Sequence, residues 1–170
     1  MTAVDTNVLV RLLAEDDSAQ TAATRALFEA EPIWIAKTVL LETGWVLRSL
    51  YGFEEVAIRQ AFTKLLGLGN VHVEEAAAVA NALALMTHGI ELADAMHLAS
   101  RPREATFVSF DRSFVRRAKR AGVAGVAEVS KYRDLSEGMG ASDGDMEEAD
   151  VLEREQDWMI RLRTRTRAHR

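Results

Sequence analysis

The sequence predicts an α/β fold, a three-layer α/β/α sandwich built on a central parallel sheet of about five strands. Short apolar runs alternate with longer segments of helical periodicity. Glycine, proline and asparagine punctuate the junctions between them. Strands separated by helices favour parallel pairing with both sheet faces covered.

Taken in order, residues 2–5 form the first apolar run and 7–13 the first helical segment. A helix over 18–30 follows, and Pro32 introduces a strand at 33–35. Helical spacing covers 38–50 and 53–66. Gly67, Gly69 and Asn70 break the chain before a strand at 71–73. Helices at 74–88 and 92–100 are separated by Gly89. Pro102 ends the second of these, since it lacks an amide hydrogen and clashes with the preceding turn. A strand at 107–109, a helix at 112–121 and a strand at 126–129 complete the pattern, with Gly122 and Gly125 between the last two. No repeat recurs at a fixed period.

The chain of 170 residues, 48 % of them hydrophobic, is long enough for a domain with a substantial core. The domain is expected over residues 1–135, with 136–170 as an acidic linker and an arginine-rich C-terminal extension. There is no cysteine, which excludes disulfides and thiolate metal sites and fits a cytoplasmic location. The first residues do not read as a signal peptide, and the low-charge run from Ala76 to Met86 is too short to cross a bilayer. Residues 1–135 carry 15 basic and 17 acidic groups, so no global positive field points to nucleic acid.

Four acids interrupt apolar stretches. Asp5 ends the first strand, and Glu42 is flanked at helical spacing by Val39, Trp45 and Val46. Asp94 lies midway between Ile90 and Leu98, and Asp111 closes Phe107-Val108-Ser109-Phe110. Such positions imply burial, and a buried carboxylate is costly unless it is paired or binds a metal. A shared cation is therefore the economical reading. Helix capping is the alternative for Asp5 and Asp111. Oxygen-only donors suit Mg²⁺ or Mn²⁺ better than Zn²⁺. Such an ion lets water attack phosphorus while it offsets the charge growing on the phosphate oxygens. Asn7 and Ser109 are placed to orient waters or acids around the site.

The segments Ala3-Val4-Asp5-Thr6-Asn7-Val8-Leu9, Leu41-Glu42-Thr43, Leu92-Ala93-Asp94-Ala95-Met96-His97-Leu98-Ala99 and Val108-Ser109-Phe110-Asp111-Arg112-Ser113-Phe114 resemble the four signatures of PIN-domain nucleases. The nearest resemblance is to the VapC-type toxins of toxin–antitoxin pairs. It implies a metal-dependent endoribonuclease whose catalytic, metal-binding acids are Asp5, Glu42, Asp94 and Asp111. It further implies cleavage to 5′-phosphate and 3′-hydroxyl ends, a cognate antitoxin and a homodimer. Ser109 stands where that family often has threonine, and the chain after Leu135 has no counterpart in it.

Among the basic residues, Arg112 and Arg116 are favoured for RNA contacts because they follow Asp111 directly. Trp45 and Phe53 are read mainly as packing residues, with base stacking as the alternative. The arginines of the extension, from Arg161 to Arg170, complement an acidic pocket in charge or would bind RNA. Two rival functions are an aspartate-nucleophile phosphatase and a catalytically quiet partner that binds an antitoxin or another subunit. The phosphatase lacks its expected second acid because Asn7 occupies that position. The quiet partner has no need of four costly carboxylates.

Overall fold

The computed structural model describes residues 1–132, and the extension at 136–170 lies outside the described residues. Among the described residues, five short strands are separated by one or two α-helices each, seven in all: β1 (Thr2–Ala3), α1 (Thr6–Ala14), α2 (Ser18–Ala30), β2 (Ile33–Ile35), α3 (Lys37–Ser49), α4 (Glu55–Leu66), β3 (Val71–Val73), α5 (Ala76–Met86), α6 (Leu92–Ser100), β4 (Phe107–Ser109), α7 (Arg112–Arg120) and β5 (Val126–Glu128). A 3₁₀ turn, Val129–Tyr132, follows β5.

Every strand pairing is parallel, as a chain with helical crossovers requires. β2 is central, with Ile33 opposite Val71 on one side and Thr2 opposite Ile33 on the other. β4 and β5 pair separately, with Phe107 opposite Val126. The five strands are thus hydrogen-bonded as three and two. This is the α/β/α arrangement, with very short strands.

The largest boundary differences from the sequence pattern have local causes. β1 stops at Ala3 because Asp5 already caps α1, and Val4 makes one last bond, from its N–H to the Trp34 carbonyl at 3.2 Å. The helix expected from 74 starts at Ala76. Glu74 turns its side chain to accept the Lys37 amide at 3.1 Å, and Glu75 has a left-handed backbone. Arg101 ends α6 as a brace. Its guanidinium donates to the carbonyls of Ala105, Ala124 and Gly125, tying the β4 approach to the turn before β5.

The core is mainly aliphatic, with Phe28, Phe62 and Phe114 among its largest side chains. Ile33 and Ile35 from the sheet meet Leu40 and Leu47 of α3, Ile58 and Phe62 of α4, and Phe114 and Val115 of α7. Gly44 matters most for the layout. A Cβ there would run into the Leu92 side chain and come within 3.6 Å of Phe62. Its absence lets α3 lie close against α6, which makes neighbours of the helices that carry Glu42 and Asp94. Gly44→Val is expected to overpack this crossing and lower stability by about 1–3 kcal/mol, measurable as a reduced denaturation midpoint with an unchanged m-value.

Candidate functional site

Asp5 and Asp111 occupy equivalent places, each after a parallel strand and at the N-cap of the next helix. Asp5 Oδ1 accepts the Val8 amide at 3.0 Å. Asp111 Oδ1 accepts the amides of Ser113 at 2.7 Å and Phe114 at 3.0 Å. Capping therefore engages one oxygen of each carboxylate. No Oδ2 hydrogen bond forms on either among the described residues, and Asp111 Oδ2 stands 4.0 Å from Arg117 Nη2.

Glu42 is tied to the first helix from a distance in sequence. Thr6, buried at the start of α1, donates its hydroxyl to Glu42 Oε2 at 2.6 Å. This bond links the Asp5 loop to α3. On the other side, Asp94 lies within the electrostatic reach of Asp111. Burial, Glu91 and Asp111 together raise the Asp94 pKa, against the opposing influence of His97 and Arg117. The Asp111 pKa is lowered, chiefly by the Phe114 and Ser113 amides and then by Arg117 and Arg116. The acids thus stand as two associations, Asp5 with Glu42 through Thr6, and Asp94 with Asp111 beside Arg117. Among the described residues no group of three or more histidines or acids is gathered closely enough to hold a metal ion.

The expectation of four buried carboxylates needs correction. Asp5, Glu42 and Asp111 are exposed, and only Asp94 is half-buried. The apolar neighbours that suggested burial are partly exposed themselves. Trp45 beside Glu42 is 64 % exposed, and the core face of α3 is Leu40, Thr43, Gly44 and Leu47. Val108 and Phe110 before Asp111 also face outward, as alternation along a strand allows. Exposed donors suit a site that must admit a large substrate, and the oxygen-only chemistry still matches a hard divalent ion.

Asn7 is exposed beside Asp5. Ser109 Oγ accepts the Asp111 amide at 3.0 Å, so it shapes the turn that presents the acid. Arg112 points elsewhere: its Nε lies 3.2 Å from Glu128 Oε2, and its side chain is 75 % exposed. Arg116 is exposed and reaches Asp111 only through its charge. The more intimate cation is Arg117, whose Nη1 donates to Ser113 Oγ at 2.7 Å. Its side chain is only 26 % exposed, and its buried Nε lacks a hydrogen-bond partner among the described residues. Sequence pattern favours Arg112 and Arg116 and does not single out Arg117. Its spacing of four from Ser113 and three from Phe114 was the available signal, since this places it on the inward side of α7. Thr6 was missed because a threonine after a capping aspartate reads as ordinary helix-start chemistry.

Asp94 and Asp111 should respond oppositely to neutralisation. The raised Asp94 pKa means that ionisation subtracts stability as pH rises through its folded value. The lowered Asp111 pKa means that its ionisation adds stability, which is lost as pH falls from the unfolded value toward the folded one. In chelator near pH ~7.5, Asp94→Asn is expected to raise the melting temperature and Asp111→Asn to lower it. The Asp94 difference should shrink as pH falls through its raised folded value toward the ordinary aspartate value of about 3.9, and the Asp111 difference as pH falls below about 3.9, as read by thermal melts across pH.

Neither curated proteins nor solved structures give a match to this chain. The family model described as PIN domain matches residues 2–120, a span containing all four acidic segments. Proteins with this domain are typically divalent-metal-dependent nucleases. The chain therefore belongs to the PIN domain family.

Proposed function

We propose that this chain is a Mg²⁺- or Mn²⁺-dependent endoribonuclease and the toxin component of a toxin–antitoxin pair. It acts in the cytoplasm, as a homodimer, and is restrained by a small cognate antitoxin. The observation that carries the nuclease reading is the paired anchoring of the acids. Thr6 holds Glu42 beside the Asp5 loop, and the caps of α1 and α7 leave one oxygen each of Asp5 and Asp111 directed to other work. Family membership supports the metal dependence. Among the described residues, no helix is long and apolar enough to cross a membrane.

Asp5, Glu42, Asp94 and Asp111, which form no closed cluster among the described residues, would hold the ion as its charge offsets their repulsion. Bound there, it supplies Lewis-acid stabilisation of the charge that develops on the scissile phosphate. The residues of the chain provide the rest. The α1 and α7 caps orient Asp5 and Asp111, and the Thr6 bond fixes one Glu42 oxygen. Arg117 offers a guanidinium beside Asp111 that suits a phosphate oxygen. Asn7 is exposed where an ordered water would enter, and Arg112 and Arg116 offer cations along the incoming backbone. Water adds to phosphorus as the bond to the 3′ oxygen breaks. The proton released by water balances the one taken up by the leaving oxygen. The products carry 5′-phosphate and 3′-hydroxyl ends.

Incubation of the purified full-length chain with total RNA and Mn²⁺ should give cuts whose ends carry those groups, with none in chelator. Asp94→Asn should retain the fold and reduce cleavage by at least about a hundredfold. Wild-type cleavage by that variant would remove Asp94 from the site. Thr6→Val should weaken the Mn²⁺-dependent rise in melting temperature, consistent with a loss of about 10- to 100-fold in ion affinity. Absence of both a divalent-ion stabilisation and RNA cleavage in the unaltered chain would favour the binding-only partner instead.

A further inference from the structure

A second feature adjoins the acids. Between α3, the start of α4 and the start of α6 lies a cleft of about 410 Å³, walled by Leu41, Gly44, Trp45, Ile58, Leu92 and Ala93. Its floor is apolar and fixed, because Gly44, Ile58 and Leu92 are buried core residues. Glu42 also lines it, so the cleft opens beside one of the proposed metal ligands, and Ala93 directly precedes another, Asp94. Trp45 stands one helical turn after Glu42 on the same side of α3. At 64 % exposure its indole is a large flat apolar surface left to water at the cleft wall. Charged groups form the rim. Arg48 Nη1 lies 3.5 Å from both Glu55 Oε1 and Glu91 Oε1. Glu55 Oε1 also accepts the Leu92 amide at 3.2 Å, which fixes the rim to the start of α6.

We propose that this cleft is a base subsite, which takes one unpaired nucleobase next to the scissile phosphate and stacks it on Trp45. The inference rests on the ribonuclease reading and adds to it the place where one base of the substrate sits. A base held in a duplex cannot leave its stack to enter an apolar slot without losing its pairing. An exposed indole over an aliphatic floor recognises the face that all bases share, and the rim groups can meet the polar edge of the ring. Continuity with Glu42 favours a base over a protein side chain as the occupant. A nucleotide neighbouring a phosphate held by the acids would have its base within a few ångströms of them.

The test uses the full chain and a labelled single-stranded oligoribonucleotide that contains one cleavage site. Affinity is measured in Ca²⁺ and cleavage in Mn²⁺. A series of substrates carries an abasic ribose at each position around the cut in turn. Trp45→Ala, with an unchanged melting temperature, should weaken affinity and raise KM about tenfold or more, while Trp45→Phe retains most of both. One abasic position should produce the same loss in the unaltered chain, and Trp45→Ala should add nothing to it. Equal affinity of Trp45→Ala and the unaltered chain for intact RNA would overturn the proposal, as would equal losses on every abasic substrate. A change in oligomeric state with RNA affinity preserved would overturn it in favour of a protein interface. Failure of the ribonuclease reading would show separately, as no cleavage of the intact oligonucleotide in Mn²⁺. The affinity series still decides the cleft in that case.

Discussion

The hydrogen bonds from backbone amides at the starts of α1 and α7 fix the two strand-end acids, Asp5 and Asp111. A helix leaves its first N–H groups without partners, and a capping carboxylate satisfies them with one oxygen. Asp5 and Asp111 do this directly after parallel strands, where ligands of such sheets gather. The same bonds that begin the helices also fix the acids in direction. Structural and catalytic readings of these two residues are therefore complementary, since each uses a different oxygen.

Glu42 and Asp94 depend on a different constraint, the close crossing of α3 and α6. That crossing exists because Gly44 has no side chain and Leu92 fills the space. Thr6 then draws Glu42 toward the Asp5 loop, while Asp94 remains at the edge of the core with Asp111 and Arg117 in its field. Without a bound cation, like charges that met more closely would repel. Such repulsion acts between Asp94 and Asp111, where it helps to raise the Asp94 pKa. Arg117 offsets part of it on the Asp111 side, and its half-buried position distinguishes it from the solvated arginines around it.

The same crossing that sets the acids also opens the apolar cleft beside them. Gly44 and Leu92 belong to the wall of that cleft as well as to the helix contact. Core packing, acid placement and the apolar cleft are thus linked through one glycine. A change at this position would move all three together, because packed interiors transmit small shifts instead of absorbing them.

Local pattern was sufficient for much of this. Short apolar runs and glycine or proline breaks located the five strands and seven helices of the described residues, because alternation and punctuation are properties of neighbouring residues. Asp5, Glu42, Asp94 and Asp111 stand out as candidates for the same reason, as acids set among apolar neighbours in sequence. Burial was not legible in that way. Whether Val39, Trp45 and Val46 or Leu40, Gly44 and Leu47 face the core depends on which neighbour covers α3, and only the packing of α4 and α6 decides that. The bond from Thr6 to Glu42 and the approach of Arg117 to Asp111 were decided by the assembled fold. The first spans 36 positions in sequence, and the second rests on which side of α7 turns inward. No window along the chain contains either. Sequence determined which residues could do chemistry, and three-dimensional packing decided which of their atoms were left free to do it.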